Sequence, residues 1–285
     1  MNIEISNGMI TALFTTLGAE LTSLRDDSQR EYIWQADPEY WAKHSPVLFP
    51  IVGTLKNNTY LFNGKSYNLP RHGFAREKEF TVKAQTDTSI VFSLLADEKS
   101  LEAYPFRFEL EITYALEEKT LRIDYRISNL SEGTMPFSIG AHPAFALSGD
   151  FSNYSLKFSQ PESPAYSLLD GNGLVSKDKN LLPIENGILS LNYGLFENDA
   201  LIFKTLESRS LEILENDIPI LEIGFEKFPH LGLWTMQNAP FLCIEPWQGY
   251  ADVSDHNGNI SDKEGIINLP EGKDYNLGFS IKITG

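Results

Sequence analysis

The sequence predicts an all-β protein, one large antiparallel β-sandwich running through residues 1–285 as a single domain. Three observations predict it. Apolar and polar residues alternate with a period of two over long stretches. Gly, Asn, Asp and Pro punctuate those stretches as turns. The amphipathic helices that an α/β chain places between its strands are not visible. The chain has 285 residues, 42% of them hydrophobic, so it can bury a large core. All-β domains often reach this size as one unit.

Taken in order, the first short strand is read at Ile10–Phe14, and Pro38–Lys43 is read as a turn or two of helix. A strand at Ile90–Leu95 and a second short helix at Glu98–Ala103 follow. The strongest signal comes next. Phe106, Phe108, Leu110, Ile112, Tyr114 and Leu116 alternate with Arg107, Glu109, Glu111 and Thr113. After Glu117–Thr120 the alternation resumes at Leu121, Ile123, Tyr125 and Ile127. This is a long β-hairpin with one wet and one buried face. Further strands are read at Ile188–Leu191, Leu201–Phe203, Leu211–Leu214, Ile220–Phe225 and Leu231–Thr235, and the C-terminus alternates again at Leu277, Phe279, Ile281 and Ile283. No low-complexity linker or internal repeat divides the chain.

Composition excludes several classes. The net charge of −16 repels phosphate backbones and anionic headgroups, so neither nucleic acid nor a membrane surface is an expected partner. A single cysteine, Cys243, allows no intrachain disulfide, and with five histidines it does not supply a thiolate zinc cluster. The N-terminus lacks a basic region followed by an apolar run, and no stretch approaches the roughly 20 apolar residues of a membrane span. The expected compartment is the cytoplasm. Gly-rich phosphate loops, a Gly-x-Ser-x-Gly elbow and a His-Glu-x-x-His zinc helix are all missing. Asp255–Asn259 resembles the start of a calcium loop, but Ile260 and Ile266 occupy the positions that need Gly and Glu. It is read as a polar turn with His256 at the surface.

Three polar residues stand in apolar or rigid surroundings. Glu245 follows Phe241-Leu-Cys-Ile244, a run that fits a strand covered on both faces. A carboxylate there is desolvated, which raises its pKa toward that of a base working near neutrality. The alternative is a structural Glu paired with an Arg. His142 lies in Ile139-Gly-Ala-His-Pro-Ala-Phe145 and is either a proton donor or acceptor or a hydrogen-bonded core histidine. Both precede proline, which pushes the backbone into an extended form and predicts strand-end positions. His72, in Arg71-His-Gly-Phe-Ala-Arg76, is the third; its basic loop could hold an anionic or polyhydroxyl ligand, or be neutralised by surface carboxylates. Trp247, two residues beyond Glu245, shares its face of the strand and offers a ring to the apolar side of a sugar. Trp34, Trp41, Trp234 and Cys243 are assigned to the core.

Taken together, Leu17–Leu24, Pro46–Gly53, Arg71-His-Gly-Phe-Ala-Arg76, Tyr104–Phe108, Pro136–Phe145 and Ile244-Glu-Pro-Trp247 resemble the aldose 1-epimerase (galactose mutarotase) family, most of all its LacX-like branch near the hexose-6-phosphate mutarotases. The resemblance spans nearly the whole chain. It implies a β-sandwich with a sugar site on one sheet, Glu245 as base, His142 as acid and His72 as a sugar contact. Asp199 is the best match to a further Asp that binds sugar hydroxyls, and Arg76 matches an Arg expected to hold phosphate in the sugar-phosphate enzymes. A second such Arg is replaced here by Thr54, with Lys56 as a possible stand-in of point-charge character. The expected activity is interconversion of the α and β anomers of a hexose by acid/base ring opening, with no cofactor and no metal, by a monomer or homodimer. Hexose-6-phosphate mutarotation and non-catalytic sugar binding or sensing are the alternatives, with two-carboxylate glycoside hydrolysis by Glu245 and Asp199 as a further rival.

Overall fold

The computed structural model of the protein describes residues 2–162 and 164–285. Met1, the first residue of the expected domain, and Ser163 lie outside the described residues. Among the described residues the regular structure is almost entirely antiparallel strand, and the α-helix is Glu98–Ala103. The β-sandwich expected from the alternation is the fold observed. No helix of the described residues is long and apolar enough to cross a membrane.

The long hairpin forms as Phe108–Glu117 and Thr120–Asn129, with Leu116 opposite Leu121 and Ile112 opposite Tyr125. It lies inside a nine-stranded sheet among the described residues. The C-terminal strand Asp274–Ile283 pairs with the hairpin on one side and with Ile218–Gly224 on the other. Leu110, Ile112, Leu121, Ile123 and Ile281 of its inner face are buried. Each contributes on the order of 1.5–3 kcal/mol by leaving water. The outer face is a charge ladder in which Arg126 pairs with Glu111 and Lys83 with Glu109. The cations of these pairs, Arg126 and Lys83, are solvent-exposed at 40% and 46%, so the pairs are screened and the buried face carries the stability.

The second large sheet is six-stranded among the described residues and is built around Phe241–Gln248. That strand is buried at every position, as its continuous apolar run requires. Leu242 and Ile244 point into the core shared with the nine-stranded sheet. The alternate residues Phe241, Cys243, Glu245 and Trp247 therefore point to the opposite face. There Phe241 and Cys243 pack with Trp34 and Ala144, while Trp247 packs with Leu48 and Val52. The side of the sheet that faces away from the main core is thus aromatic.

Of the two short helices expected, one forms. Helix Glu98–Ala103 forms, fixed by a capping box between Asp97 and Ser100. Pro38–Lys43 makes a single turn closed by Trp41 N–H to the Asp37 carbonyl, not a helix. The cause lies just beyond it: Glu20 takes the N–H groups of His44 and Ser45 at 2.7 and 2.8 Å, which holds the chain away from a helical path. The short strands Val47–Leu48, Ile139–Ala141 and Ala144–Ala146 escape a sequence reading because two or three residues cannot display a period.

Candidate active site

The site begins with a break in one strand. Ile139–Ala141 and Ala144–Ala146 both pair with Phe241–Gln248, interrupted at His142-Pro143. Gly140 faces Trp247 and Ala144 faces Cys243, so the register is unchanged across the break and His142 falls opposite Glu245. Pro246 sits in the middle of this sheet, a place that proline usually avoids because it lacks an N–H. It is tolerated because pairing with Ile139–Ala141 stops one position earlier, at Gly140 and Trp247. Glu245 is consequently a mid-strand residue, not the strand-end residue expected from its proline, whereas His142 does end its strand.

His142 Nε2 and Glu245 Oε2 are 3.2 Å apart, and the carboxylate is 1% exposed. The arginine partner envisaged for a structural Glu245 is replaced by this histidine. The angle between the two groups does not close a hydrogen bond, so Glu245 Oε2 is left unpartnered, as are the buried His142 Nδ1 and Trp247 Nε1. Unpartnered buried polar atoms are uncommon, and these three residues line one cavity. Burial pushes Glu245 well above the ordinary carboxylate range; Arg71 and the Trp247 indole pull it down and Asp199 pushes it up. Burial also lowers His142 to about 3, with Arg71 and Arg76 adding to the fall and the polarity of its own backbone opposing it. The protonated His142 of the sequence expectation is therefore not the resting form. The imidazole therefore rests neutral, beside a carboxyl group that burial drives toward its protonated form.

The cavity around this pair measures about 380 Å³, within the usual range for small-molecule sites. It brings together every residue expected at a sugar site: Glu245, His142, His72, Asp199, Arg76 and Trp247. Asp199 stands at φ 71° with one carboxylate oxygen fixed by the Ala200 N–H at 2.8 Å. Its other oxygen is 3.6 Å from Arg71 Nη1. Arg76 reaches across the same loop to the Arg71 carbonyl at 3.1 Å. Lys56 does not line the cavity: its N–H is held by Asp252 at 2.9 Å, and its charge acts on Asp255. It therefore does not stand in for the arginine absent at Thr54. His256, expected at the surface, has a side chain only 8% exposed, with Nε2 4.0 Å from Asp252, because the Asp252–Lys263 ion pair draws that turn inward.

Two tryptophans assigned to the core prove to be cavity walls. Trp41 stacks on the His142 ring at 4.7 Å and 25°, and Trp234 meets it edge-on at 5.7 Å. Trp234 was legible in principle, since it lies opposite Cys243 on the face that carries Glu245. Trp41 lies in a loop, where no periodicity gives its direction. Trp247 is seated between two glycines of the flanking strands. A Cβ at Gly232 would come within 2.7 Å of its ring carbons, and one at Gly140 within 2.6 Å. Gly232→Ala is expected to displace the indole and raise KM for a sugar substrate with little change in kcat, measurable by steady-state kinetics and tryptophan fluorescence.

His72 has φ 69°, a left-handed backbone that turns its ring inward. Its Nδ1 meets the Gly53 N–H and its Nε2 meets Arg71 Nε–H, each at 3.2 Å. Burial holds this ring neutral, with His142, Arg71 and Arg76 acting in the same direction. A neutral imidazole has only one acceptor nitrogen, so one of the two contacts sets donor against donor. An acceptor oxygen from a ligand would relieve it at the Arg71 side, where the cavity opens.

The buried histidines give the fold an acid limit. Burial holds His142 at about 3, His230 at about 4 and His72 well below the ordinary value of 6.5. In this window the unfolded chain binds protons that the native state refuses, so stability falls as pH drops from 6.5 toward 4. Glu245 has the opposite sign: its raised pKa lowers stability as pH rises above its unfolded value. Urea midpoints measured downward from neutrality should decrease, and less steeply in His230→Asn.

A sandwich carrying one buried acid/base pair in a cavity walled by indoles and edged by arginines has the architecture of a carbohydrate-modifying protein. The sequence comparisons make this specific. The family described as Aldose 1-epimerase matches residues 1–184. The chromosomally encoded Protein LacX of Lactococcus lactis subsp. lactis is 37% identical, over 94% of this chain and 95% of its own. A solved galactose mutarotase related enzyme from Lactobacillus acidophilus superposes with a TM-score of 0.95 at 32% identity, covering 100% of this chain and 98% of that one. A galactose mutarotase-like protein from Lactobacillus casei ATCC 334 does so with a TM-score of 0.93 at 28% identity, over all of both chains. The chain belongs to the aldose 1-epimerase family.

Proposed function

We propose that the protein is a mutarotase that interconverts the α and β anomers of a hexose, with Glu245 and His142 as its base and acid. The observation that carries this reading is the placement of His142 directly opposite Glu245, 3.2 Å apart inside the cavity. The two groups share one exchangeable proton. Without sugar, charge separation in the dry pocket is costly and the proton rests on Glu245. Sugar hydroxyls arriving beside Asp199, Arg71 and His72 supply polar partners and favour the charged tautomer. Glu245 then takes the proton of the anomeric hydroxyl while His142 gives one to the ring oxygen. The C1–O5 bond breaks, C1 becomes an aldehyde and rotates, and closure on the other face returns both protons. Trp247, on the Glu245 face of the strand, is placed to pack against sugar C–H groups.

The assay is polarimetry or NMR exchange on fresh α-glucose and α-galactose. Acceleration by the wild-type protein supports the proposal. Binding without acceleration would leave a sugar-binding or sensing protein, and release of sugar from an aryl glycoside would favour hydrolysis.

A second reading has its own support. Arg71 and Arg76 line the cavity of a chain whose net charge is −16, and the buried Nε of Arg76 has no hydrogen-bond partner. An anionic substituent such as a 6-phosphate fits these groups, with Arg71 supplying the second guanidinium that Thr54 lacks. If this is the substrate class, 6-phosphorylated hexoses have the higher kcat/KM, and Arg76→Gln lowers it for them by about tenfold or more while sparing free hexoses.

A further inference from the structure

The sheet that carries the acid/base pair also carries the chain's one thiol. Cys243 precedes Glu245 by two residues, so it shares that face, and it lies opposite Ala144, two residues past His142. Cys243 Sγ, a Glu245 carboxylate oxygen and a His142 ring nitrogen all lie within 4.8 Å of one another, and all three residues are buried. Of the candidate ligand atoms, Glu245 Oε2 has no hydrogen-bond partner.

We infer that His142, Cys243 and Glu245 form a three-ligand trap for a thiophilic divalent cation such as Zn²⁺ or Cd²⁺, and that its capture shuts off the acid/base pair. Zinc holds nitrogen and oxygen at about 2.0–2.2 Å and sulfur at about 2.3 Å, which places ligands roughly 3.5 Å apart around a tetrahedron. The 3.2 Å between His142 Nε2 and Glu245 Oε2 already approximates one edge. The other edges close by a small rotation of each side chain. Capture releases the Cys243 thiol proton and the Glu245 carboxyl proton to solvent, and the resulting thiolate and carboxylate neutralise the divalent charge, so the filled site is neutral in a pocket where single charges are costly. The fourth position faces the cavity and takes water, the open arrangement of three-ligand zinc sites. Arg71 and Arg76 oppose the entry of a cation, but Arg71 is 44% exposed and screened by solvent. Magnesium and calcium prefer oxygen ligands and do not suit this set.

Metal capture does not depend on the mutarotase reading, and only its inhibitory consequence does. The test therefore begins with binding. Cobalt(II) added to the metal-free wild-type protein is expected to give a sulfur-to-cobalt charge-transfer band saturating at one equivalent. The band should be absent in Cys243→Ala, whose folding is checked by its thermal melt. Glu245→Gln, which keeps the thiol, should retain the sulfur band but bind more weakly than the roughly 10–100-fold loss typical of outer-shell changes. In the second arm, Zn²⁺ or Cd²⁺ suppresses anomer exchange by the wild type at concentrations that leave Cys243→Ala active. Cys243 is not part of the acid/base pair, so that variant keeps its metal-free rate. Absence of a sulfur band in the folded wild type, or equal inhibition of wild type and Cys243→Ala, overturns the inference.

Discussion

Glu245→Gln is expected to slow anomer interconversion by about 10²–10⁴-fold, the range contributed by positioned general acids and bases. The substitution is nearly isosteric, so packing along Phe241–Gln248 is preserved. The amide has no titratable proton near neutrality and cannot accept one from the anomeric hydroxyl. The unfolding midpoint should therefore change little, and it should rise slightly toward alkaline pH. There the native carboxyl group would otherwise be forced to ionise while buried, its pKa being raised first by desolvation. Sugar binding followed by tryptophan fluorescence should persist, since Trp41, Trp234 and Trp247 all line the cavity. Retained binding with a lost rate identifies a chemical role. An unchanged rate would overturn the assignment of the base.

His142→Asn is expected to produce a loss of similar size, and the double variant little more than either single one. Groups that act as a unit lose their joint effect when either is removed. The acid and base exchange the same proton, so removing one leaves the other without a partner. The pH profile gives a second reading of the same pair. Activity requires one proton on the dyad. It should fall in acid as His142, lowered to about 3 by burial, gains a second proton, and in alkali as the last proton leaves. In His142→Asn the acid limb should move toward the titration of the remaining carboxyl. Equal rates for His142→Asn and wild type would remove His142 from the mechanism.

Much of this arrangement can be read from the amino acids, for identifiable reasons. The hairpin around Leu116 and Leu121 and the buried run before Glu245 are legible because period and hydrophobicity are local. The facing of His142 and Glu245 is not local. It depends on a strand broken for two residues that resumes in the same register, which no window of sequence displays. The location of the shared proton is likewise hidden, because desolvation is a property of the whole pocket; a histidine expected to be charged rests neutral. Trp41 escapes this reading because a loop residue carries no directional pattern. Cys243 is core, as its apolar run predicts, and the two-residue spacing that puts Trp247 beside Glu245 puts the thiol on the same face.

The uninterrupted register between Gly140 and Ala144 has a consequence for how this protein can diverge. His142 and Glu245 sit on one pair of neighbouring strands, so adding or deleting a single residue within Ile139–Ala146 or within Phe241–Gln248 would turn one of them toward the opposite face of the sheet. Arg71, Arg76, Trp41 and Asp199 stand on connections outside the strands of that ladder, where length and sequence can drift. Chemistry and selectivity are therefore inherited separately. If the protein is the mutarotase proposed above, the first tolerates almost no change in the length of these strands, while the second can be rewritten one loop at a time, so new sugars can be recruited without rebuilding the proton relay.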